Sequence, residues 1–363
     1  MSQPQPQTDP RDSHRYAVVV AGGAGTRLWP LSRESLPKQM QSLMGDQTLI
    51  AETVERMGGV VPLENVYIST TANYAAMIQE HVPQIPSENI IVEPVARGTA
   101  AAFALFSLAL YERDESAVIF SLASDHAITD LERFQETLRH CYEFIEGHPG
   151  HLAMVGITPT RPDTSLGYIK VRRGVGLGHP RALSAEKFVE KPSQAVAKAY
   201  VASGDYYWNA AYYCFSAKTL LDAYDDADPR LVEAARRYAK SGDVDDYLAS
   251  PEKVHEIEVI DSGKYPLAVI PADFAWSDIG TWQTLHRVLS DLAGGSLVAS
   301  DSTHHFDVGS SNSLVVNPGE RVVATVGLEN IVVVSLDDVV LVLNKDESEK
   351  LPELLEILPT RYR

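Results

Sequence analysis

The stretch Tyr16-Ala17-Val18-Val19-Val20-Ala21-Gly22-Gly23-Ala24-Gly25-Thr26-Arg27 decides how this chain is read. Its first five residues are rich in β-branched side chains and show no polar alternation, the pattern of a strand buried on both faces. The glycines that follow, Gly22, Gly23 and Gly25, let backbone N–H groups converge on an anion because no side chain blocks the approach. Phosphate is the natural guest. Two rival phosphate motifs fail on spacing: GxxxxGK[ST] has no match here, and in GxGxxG the third glycine position is taken by Leu28. A Rossmann dinucleotide site is therefore not expected.

Downstream, apolar runs at Val66–Ser69, Asn89–Val92, Val118–Leu122 and Leu152–Ile157 read as strands. Helical stretches fall between most of them, at Leu49–Met57, Asn73–His81, Thr99–Arg113 and Leu131–Glu146. This alternation predicts an α/β domain with a mixed, mostly parallel central sheet, whose ligands bind in the loops beyond the carboxyl ends of the strands. From about Gly294 the texture changes to short β-type runs at Ser296–Ala299, Ser313–Val316, Arg321–Val326, Ile331–Ser335 and Val339–Leu343. Their spacing suits a coil of short strands, a small all-β unit closed by a short helix at Leu351–Leu358. The expected organisation is an arm at 1–15, an α/β domain at 16–290 and the β unit at 291–363.

The chain has 363 residues, 45% hydrophobic and 22% charged, enough apolar material for a sizeable core. Its net charge of −18 repels polyanions, so a nucleic-acid partner is not expected, and a site for an anionic substrate must gather its own cations. Residues 1–15 are Gln, Pro, Ser and charges, a disordered arm and not a signal peptide's apolar region. The longest mostly apolar run, Thr99 to Leu110, is too short to span a membrane, which takes about 20 residues. Two isolated cysteines, Cys141 and Cys214, make no disulfide framework and point to a reducing, cytoplasmic compartment.

Arg27 directly after the glycines and Lys38 in Pro37-Lys38-Gln39 place two cations near the anion-binding loop. A guanidinium bridges two phosphate oxygens as a fork and an ammonium acts as a point charge, so the pair suits a triphosphate. Here the sequence resembles a family. Ala21 through Arg33, with Trp29-Pro30-Leu31-Ser32-Arg33, and then Pro37-Lys38-Gln39, is similar to the signature of sugar nucleotidyltransferases and resembles their mannose-1-phosphate guanylyltransferase branch. The second half of this signature, Pro37-Lys38-Gln39, lacks the Lys-Pro pair usual there in the uridylyl and thymidylyl branches, which favours guanine as the base. Further similar segments follow in the family's order: Glu93-Pro94-Val95-Ala96-Arg97-Gly98-Thr99, Ser124-Asp125-His126, Gly167-Tyr168-Ile169, Phe188-Val189-Glu190-Lys191-Pro192, Trp208-Asn209-Ala210 and Trp276-Ser277-Asp278-Ile279-Gly280-Thr281-Trp282. The sequence departs from the pattern at Gly98, where the family usually has Asn, at Leu166, where an aromatic often stands, and at Ala211, where a glycine usually follows.

The resemblance implies a Rossmann-like nucleotidyltransferase domain followed by a short β-helix. It implies transfer of GMP from GTP to mannose 1-phosphate, giving GDP-mannose and pyrophosphate, with Mg²⁺. Gly22, Gly23, Gly25, Thr26, Arg27, Lys38, Glu93, Arg97 and Thr99 would then bind the nucleotide. Gly167, Tyr168, Glu190, Lys191 and Asn209 would bind the sugar phosphate, and Asp125 and Asp278 the metal. Arg27, Lys38, Asp125 and Lys191 would carry catalysis. Two alternatives stay open, the same chemistry on another sugar 1-phosphate such as a heptose, and a non-catalytic nucleotide-sugar sensor. A homodimer is also left open. His304-His305 are read as structural, since neighbours on a strand face opposite ways, and Trp208, Trp276 and Trp282 as wall and core.

Overall fold

The computed structural model describes residues 13–23, 25–255, 264–293, 295, 297–299 and 303–363. Most of the expected arm lies outside these. Arg15, which the sequence assigned to the arm, is the first residue of β1 (Arg15–Val20), tied by its guanidinium to Glu146 through bonds of 2.6 and 3.0 Å. The described residues fall into two compact units. One comprises the residues up to Gly22, Thr53–Ser124 and Ile128–Ala275; the other comprises Gly23–Glu52, Asp125–Ala127 and Trp276–Arg363.

The first unit is built on β1 with β2 (Val66–Thr71), β3 (Ile90–Glu93), β4 (Val118–Ala123), β6 (Leu152–Ile157), β7 (Tyr168–Gly176), β8 (Leu183–Val189), β9 (Tyr206–Ser216) and β10 (Leu267–Ala272), in the order β3-β2-β1-β4-β9-β6-β10-β8-β7. The two-residue strands β5 (Ala127–Ile128) and β11 (Trp276–Ser277) stand apart from this main sheet as a separate two-stranded one. The sheet is mixed, as expected. β3-β2-β1-β4 is parallel and so is β6-β10, while β9 runs antiparallel between β4 and β6. β9 is eleven residues long, so its C-terminal end pairs with β4 and its N-terminal end with β7, where Tyr168 faces Trp208. The ladder between β6 and β9 is irregular between Met154 and Gly156.

Helices α1 (Leu49–Arg56), α2 (Ala75–His81), α3 (Thr99–Arg113) and α4 (Leu131–Gly147) follow the sequence expectation closely. α5 (Gln194–Ser203), α6 (Ala217–Ala227), α7 (Arg230–Ser241) and α8 (Val244–Leu248) add to them. α3 is apolar around its whole circumference, and residues 100–108 and Leu110 are all buried, which marks a helix enclosed on every side. Its four buried alanines, 100, 101, 102 and 104, allow α6 and α7 to approach closely. Its Phe103 and Phe106 supply bulk at about 1.5–3 kcal/mol each. Cys141 and Cys214 are buried free thiols, and no helix of the described residues is long and apolar enough to cross a membrane.

The second unit contains the predicted all-β coil. α9 (Trp282–Ala293) leads to β12 (Leu297–Ala299), β13 (His305–Val308), β14 (Ser313–Val316), β15 (Val323–Val326), β16 (Ile331–Ser335), β17 (Val340–Asn344) and α10 (Leu351–Ile357). β14 stacks parallel on β16 with Leu314 opposite Val332, and β13 on β15 with His305 opposite Val323, so one coil takes eighteen residues in both cases. The corners repeat at the same interval. Gly309 and Gly327 have φ of 74° and 61°, Asn312 and Asn330 of 49° and 61°, and Asn312 donates to the Asn330 side chain at 3.3 Å. Asn tolerates the left-handed region better than other residues with a Cβ. Leu314, Val316, Val332, Val334 and Leu341 form the core with Leu28, Trp29, Ile279 and Trp282, and Trp282 donates its indole N–H to the Trp29 carbonyl at 3.1 Å. His305 bonds Thr325 at 2.8 Å, a contact between successive coils.

Candidate active site

In the second unit the glycine loop is held by the residues that follow it. Gly25 has φ of 63°, and a Cβ there would lie 2.6 Å from the Cβ of Lys38, so both conformation and space demand glycine. The Ser32 hydroxyl donates to the Gly25 carbonyl at 2.6 Å, and the Gln39 amide to the Gly23 carbonyl at 3.0 Å. Thr26 opens the single turn Thr26–Leu28 that carries Arg27. A Cβ on Gly23 would meet nothing within 4 Å, which leaves that side of the loop accessible.

Lys38 is 4% exposed. Its ammonium donates to the Asp278 and Ile279 carbonyls at 2.6 and 3.1 Å and pairs with Asp125 Oδ2 at 2.8 Å. Ile279 lies at φ of 43°, a costly conformation for a β-branched residue. Burial is the largest single influence on the Asp125 carboxyl and pushes it up, but the Lys38 charge, the His126 charge and the hydrogen bonds together outweigh it, and the group stays below the usual aspartate range. Asp278 lies in the same turn, where its Oδ2 and the Arg27 guanidinium both crowd the open side of Gly280, at 2.6 and 3.4 Å from where a Cβ would be. Trp276 donates to His126 Nδ1 at 3.2 Å, so this tryptophan orients the imidazole beside Asp125. The structure thus gathers Arg27, Lys38, Asp125 and Asp278, two cations and two carboxylates, around one turn and one glycine loop.

The remaining candidates lie in the first unit, and Gly22 is its last residue before the loop. Beside Gly22 is Glu93, whose buried carboxyl accepts from the Tyr247 hydroxyl at 2.8 Å. Burial pushes Glu93 up to about 7, against the opposing hydrogen bond from Tyr247. Arg97 and Thr99 make contacts within the protein. The Arg97 guanidinium donates twice to the Ser250 carbonyl at 3.1 and 2.8 Å, and Thr99 Oγ1 accepts from the His255 amide at 2.9 Å. Gly98 between them has φ of 81°, and a Cβ there would be 2.4 Å from the Lys253 carbonyl. The departure to glycine therefore has a steric cause, since only glycine fits against the 250–255 segment.

Gly167 and Glu190 come together: a Cβ on Gly167 would sit 2.8 Å from Glu190 Oε2. Lys191 is exposed, held at φ of 43°, with its ammonium 3.6 Å from Glu190. The Asn209 amide N–H donates to the Gly167 carbonyl at 2.8 Å, and its side-chain oxygen accepts from the Ala211 N–H at 3.0 Å. Ala211 has φ of 55°, which explains why a glycine suits this position. The Tyr168 ring is buried and its hydroxyl bonds Asp163, so only its backbone can face a ligand. Trp208 is buried under the Arg161 guanidinium, which lies 4.8 Å from the ring centre.

Sequence reading missed Tyr247, Ser250 and Lys253, which shape the Glu93 and Gly98 contacts from about 150 residues away and carry no motif. Gln39 was inside a quoted motif, but its task of holding the Gly23 carbonyl was not foreseen.

Comparison with known proteins identifies the family of the chain. The nucleotidyl transferase family model matches residues 16–294, and a MannoseP isomerase/GMP-like beta-helix domain model matches 304–358. Mannose-1-phosphate guanylyltransferase of Klebsiella pneumoniae is 34% identical over 95% of this chain and 74% of its own length. Xanthan biosynthesis protein XanB of Xanthomonas campestris pv. campestris (strain ATCC 33913) is 34% identical over 95% and 73%. A crystal structure described as mannose-1-phosphate geranyltransferase from Thermus thermophilus superposes with a TM-score of 0.83 at 30% identity, covering 94% of this chain and 98% of that one.

Proposed function

The chain belongs to the nucleotidyl transferase family, and from that premise we propose that it transfers GMP from GTP to mannose 1-phosphate, giving GDP-mannose and pyrophosphate. The observation that carries this reading is the grouping of Arg27, Lys38, Asp125 and Asp278 at a glycine loop. A phosphomonoester with its second pKa near ~6 is mostly dianionic at pH 7, so the attacking oxygen needs no base. The task is to bring two anions into line and stabilise the leaving pyrophosphate.

In the proposal, backbone N–H groups of Gly22, Gly23, Gly25 and Thr26 cradle the triphosphate and Arg27 supplies positive charge to it. Lys38 neutralises Asp125 and fixes the turn that carries Asp278. The hard oxygen donors of Asp125 and Asp278 suit Mg²⁺ better than a softer ion, because Mg²⁺ takes one or two carboxylates and completes its shell with water and phosphate. When bound, Mg²⁺ would screen the phosphate charges. Lys191 holds the sugar phosphate, which attacks the α-phosphorus as the bond to the β-phosphate oxygen breaks. Glu190 accepts from sugar hydroxyls beside Gly167, with Asn209 fixing the backbone there. Arg97 and Thr99 contribute by holding the start of α3, and Glu93 contributes beside Gly22. Residues 16–290 carry this chemistry in the proposal. Residues 291–363 support self-association into a homodimer, for which the exposed Phe306, Val308, Val322 and Val326 offer an apolar surface.

The test is pyrophosphate release with Mg²⁺ and mannose 1-phosphate against GTP, ATP, UTP and dTTP, then GTP against other sugar 1-phosphates including a heptose. GTP- and mannose-selective turnover that disappears in Asp125→Asn is the expected result. GTP binding without release on any sugar phosphate would replace the enzyme with a sensor.

A further inference from the structure

In the first unit, on the outer face of α4, lies a group of side chains that the proposed reaction does not use. Glu136, His140 and Glu143 are spaced i, i+4, i+7 and share one helix face, opposite the buried Phe134, Leu138, Cys141 and Ile145. His179, in the turn that joins β7 to β8, closes over them. His140 Nδ1 is 3.3 Å from Glu143 Oε2, and His179 Nε2 is 3.9 Å from the same oxygen. One ligand atom from each of these three residues lies within 4.8 Å of the other two.

We propose that His140, Glu143 and His179 form a binding site for a borderline divalent transition metal of the Zn²⁺ class, with water completing the shell. The donor set argues for that class, since two imidazoles and one carboxylate suit zinc, whereas Mg²⁺ and Ca²⁺ select oxygen ligands. The spacing argues for a site that needs little movement. Ligand bonds of about 2.0–2.2 Å in tetrahedral array put donor atoms roughly 3.3 Å apart. The two contacts to Glu143, 3.3 and 3.9 Å, lie at that value and about 0.6 Å above it, and the two imidazole donors, within 4.8 Å of each other, close the rest by side-chain rotation.

The surroundings supply the outer contacts that such sites use. The far nitrogen of His140, Nε2, lies 3.4 Å from Glu136 Oε1, so with Nδ1 on the metal the Nε2–H points at a carboxylate. Glu136 is itself held by the Arg181 guanidinium at 3.1 Å. The His179 ring packs edge-on to Phe144 and to His140, which limits its rotation. The site asks for one rearrangement. The Arg181 N–H approaches His179 Nδ1 at 3.2 Å, and metal on Nε2 moves the ring proton to Nδ1, so this long contact must open.

The metal would join the carboxyl-terminal half of α4 to the far end of the β7–β8 hairpin. Tyr168, Glu190 and Lys191 belong to the opposite end, where Tyr168 pairs with Val189. The site therefore has a structural role, separate from the proposed metal at Asp125 and Asp278 and independent of the proposed reaction.

The test uses full-length protein freed of metal by chelation. Zn²⁺ is titrated in competition with a chromophoric chelator, and Co²⁺ is followed by its visible absorption, which is stronger for tetrahedral than for octahedral coordination. We expect one equivalent in the wild type, retained in His81→Ala and in Asp125→Asn. It should be lost in His179→Ala and Glu143→Gln and weakened about 10–100-fold in Glu136→Gln. Circular dichroism checks that the variants fold, and the two ligand variants alter different elements, so misfolding of one leaves the other decisive. No saturable site in the wild type, a site that survives both ligand variants, or a site lost only in Asp125→Asn would each overturn the proposal.

Discussion

Replacing Lys38 with Met keeps an unbranched apolar stem, one atom shorter, and removes the charge that links the Asp125 carboxylate to the Asp278–Ile279 turn. Across 2.8 Å the ammonium–carboxylate attraction is about 6 kcal/mol at an effective dielectric of 20. Desolvation of a lysine that is 4% exposed takes back part of this. The Asp125 side chain is 30% exposed, so solvent screens the pair from one side only. Loss of one partner of such a pair costs about 3–5 kcal/mol, and here the Asp278 and Ile279 carbonyls lose their donor as well. The decisive assay is a double-mutant cycle in urea with Lys38→Met, Asp125→Asn and the double variant. The double variant should be less destabilised than the sum of the singles by about 2–3 kcal/mol. The pH profile gives a second readout. A depressed Asp125 contributes stability above on the order of pH 4 that is lost as pH falls through its folded value, and in Lys38→Met that loss should begin at higher pH. Additivity within about 0.5 kcal/mol, together with an unchanged acid limb, would refute the account of Lys38 as the partner that sets Asp125's charge.

Gly98→Ala should destabilise by about 2–4 kcal/mol, the cost of a residue confined to glycine's φ/ψ region plus the loss of the Ala100 N–H bond to Lys253, read from urea midpoints. Ala211→Gly should be neutral to stabilising by about 1 kcal/mol, since it relieves left-handed strain at the cost of a freer unfolded chain; a clear loss of stability would contradict the strain. Glu93 binds its proton more tightly folded than unfolded, so its contribution is greatest below about pH 4.3 and falls by about 3 kcal/mol as pH rises to 7. Melting temperature against pH should therefore flatten over that window in Glu93→Gln. Lys191→Ala should raise the KM for mannose 1-phosphate far more than that for GTP, and a reversed preference in initial-rate kinetics would exchange the two anion subsites.

Much of the site was legible because the glycine loop and the Pro37-Lys38-Gln39 motif are local in sequence and have local physical reasons. Gly25 is needed where Lys38 packs against it, and Ser32 and Gln39 tie down the loop's own carbonyls. The first strands and α1 to α4 were legible for a similar reason, since buried strands and apolar helices write their burial into consecutive residues. β7, β8 and β9 were not. β7 and β8 pair antiparallel at one edge of the sheet, where the last five residues of β7 are exposed and no residue of β8 is fully buried, so no continuous apolar run marks them; β9 lies mid-sheet between β4 and β6. The eighteen-residue coil was present in the sequence as Gly309 with Asn312 and then Gly327 with Asn330, a repeat that is seen once corner conformation is considered along with strand composition.

By itself the sequence determined the chemical vocabulary: an anion-binding loop, cations beside it, two aspartates, and an α/β domain followed by a coil of short strands. Tertiary structure decided which of those groups act on one another. Lys38, which the sequence places beside a phosphate, is brought onto Asp125 and onto two carbonyls from a turn 240 residues away. Arg97 and Thr99, which the sequence places at the nucleotide, bond the 250–255 segment with their side chains. Residue type and local spacing fix what a side chain is able to do. Its partner depends on which distant segment shares its buried space, because a charge or donor taken out of water must be satisfied by whatever the fold brings within about 3 Å.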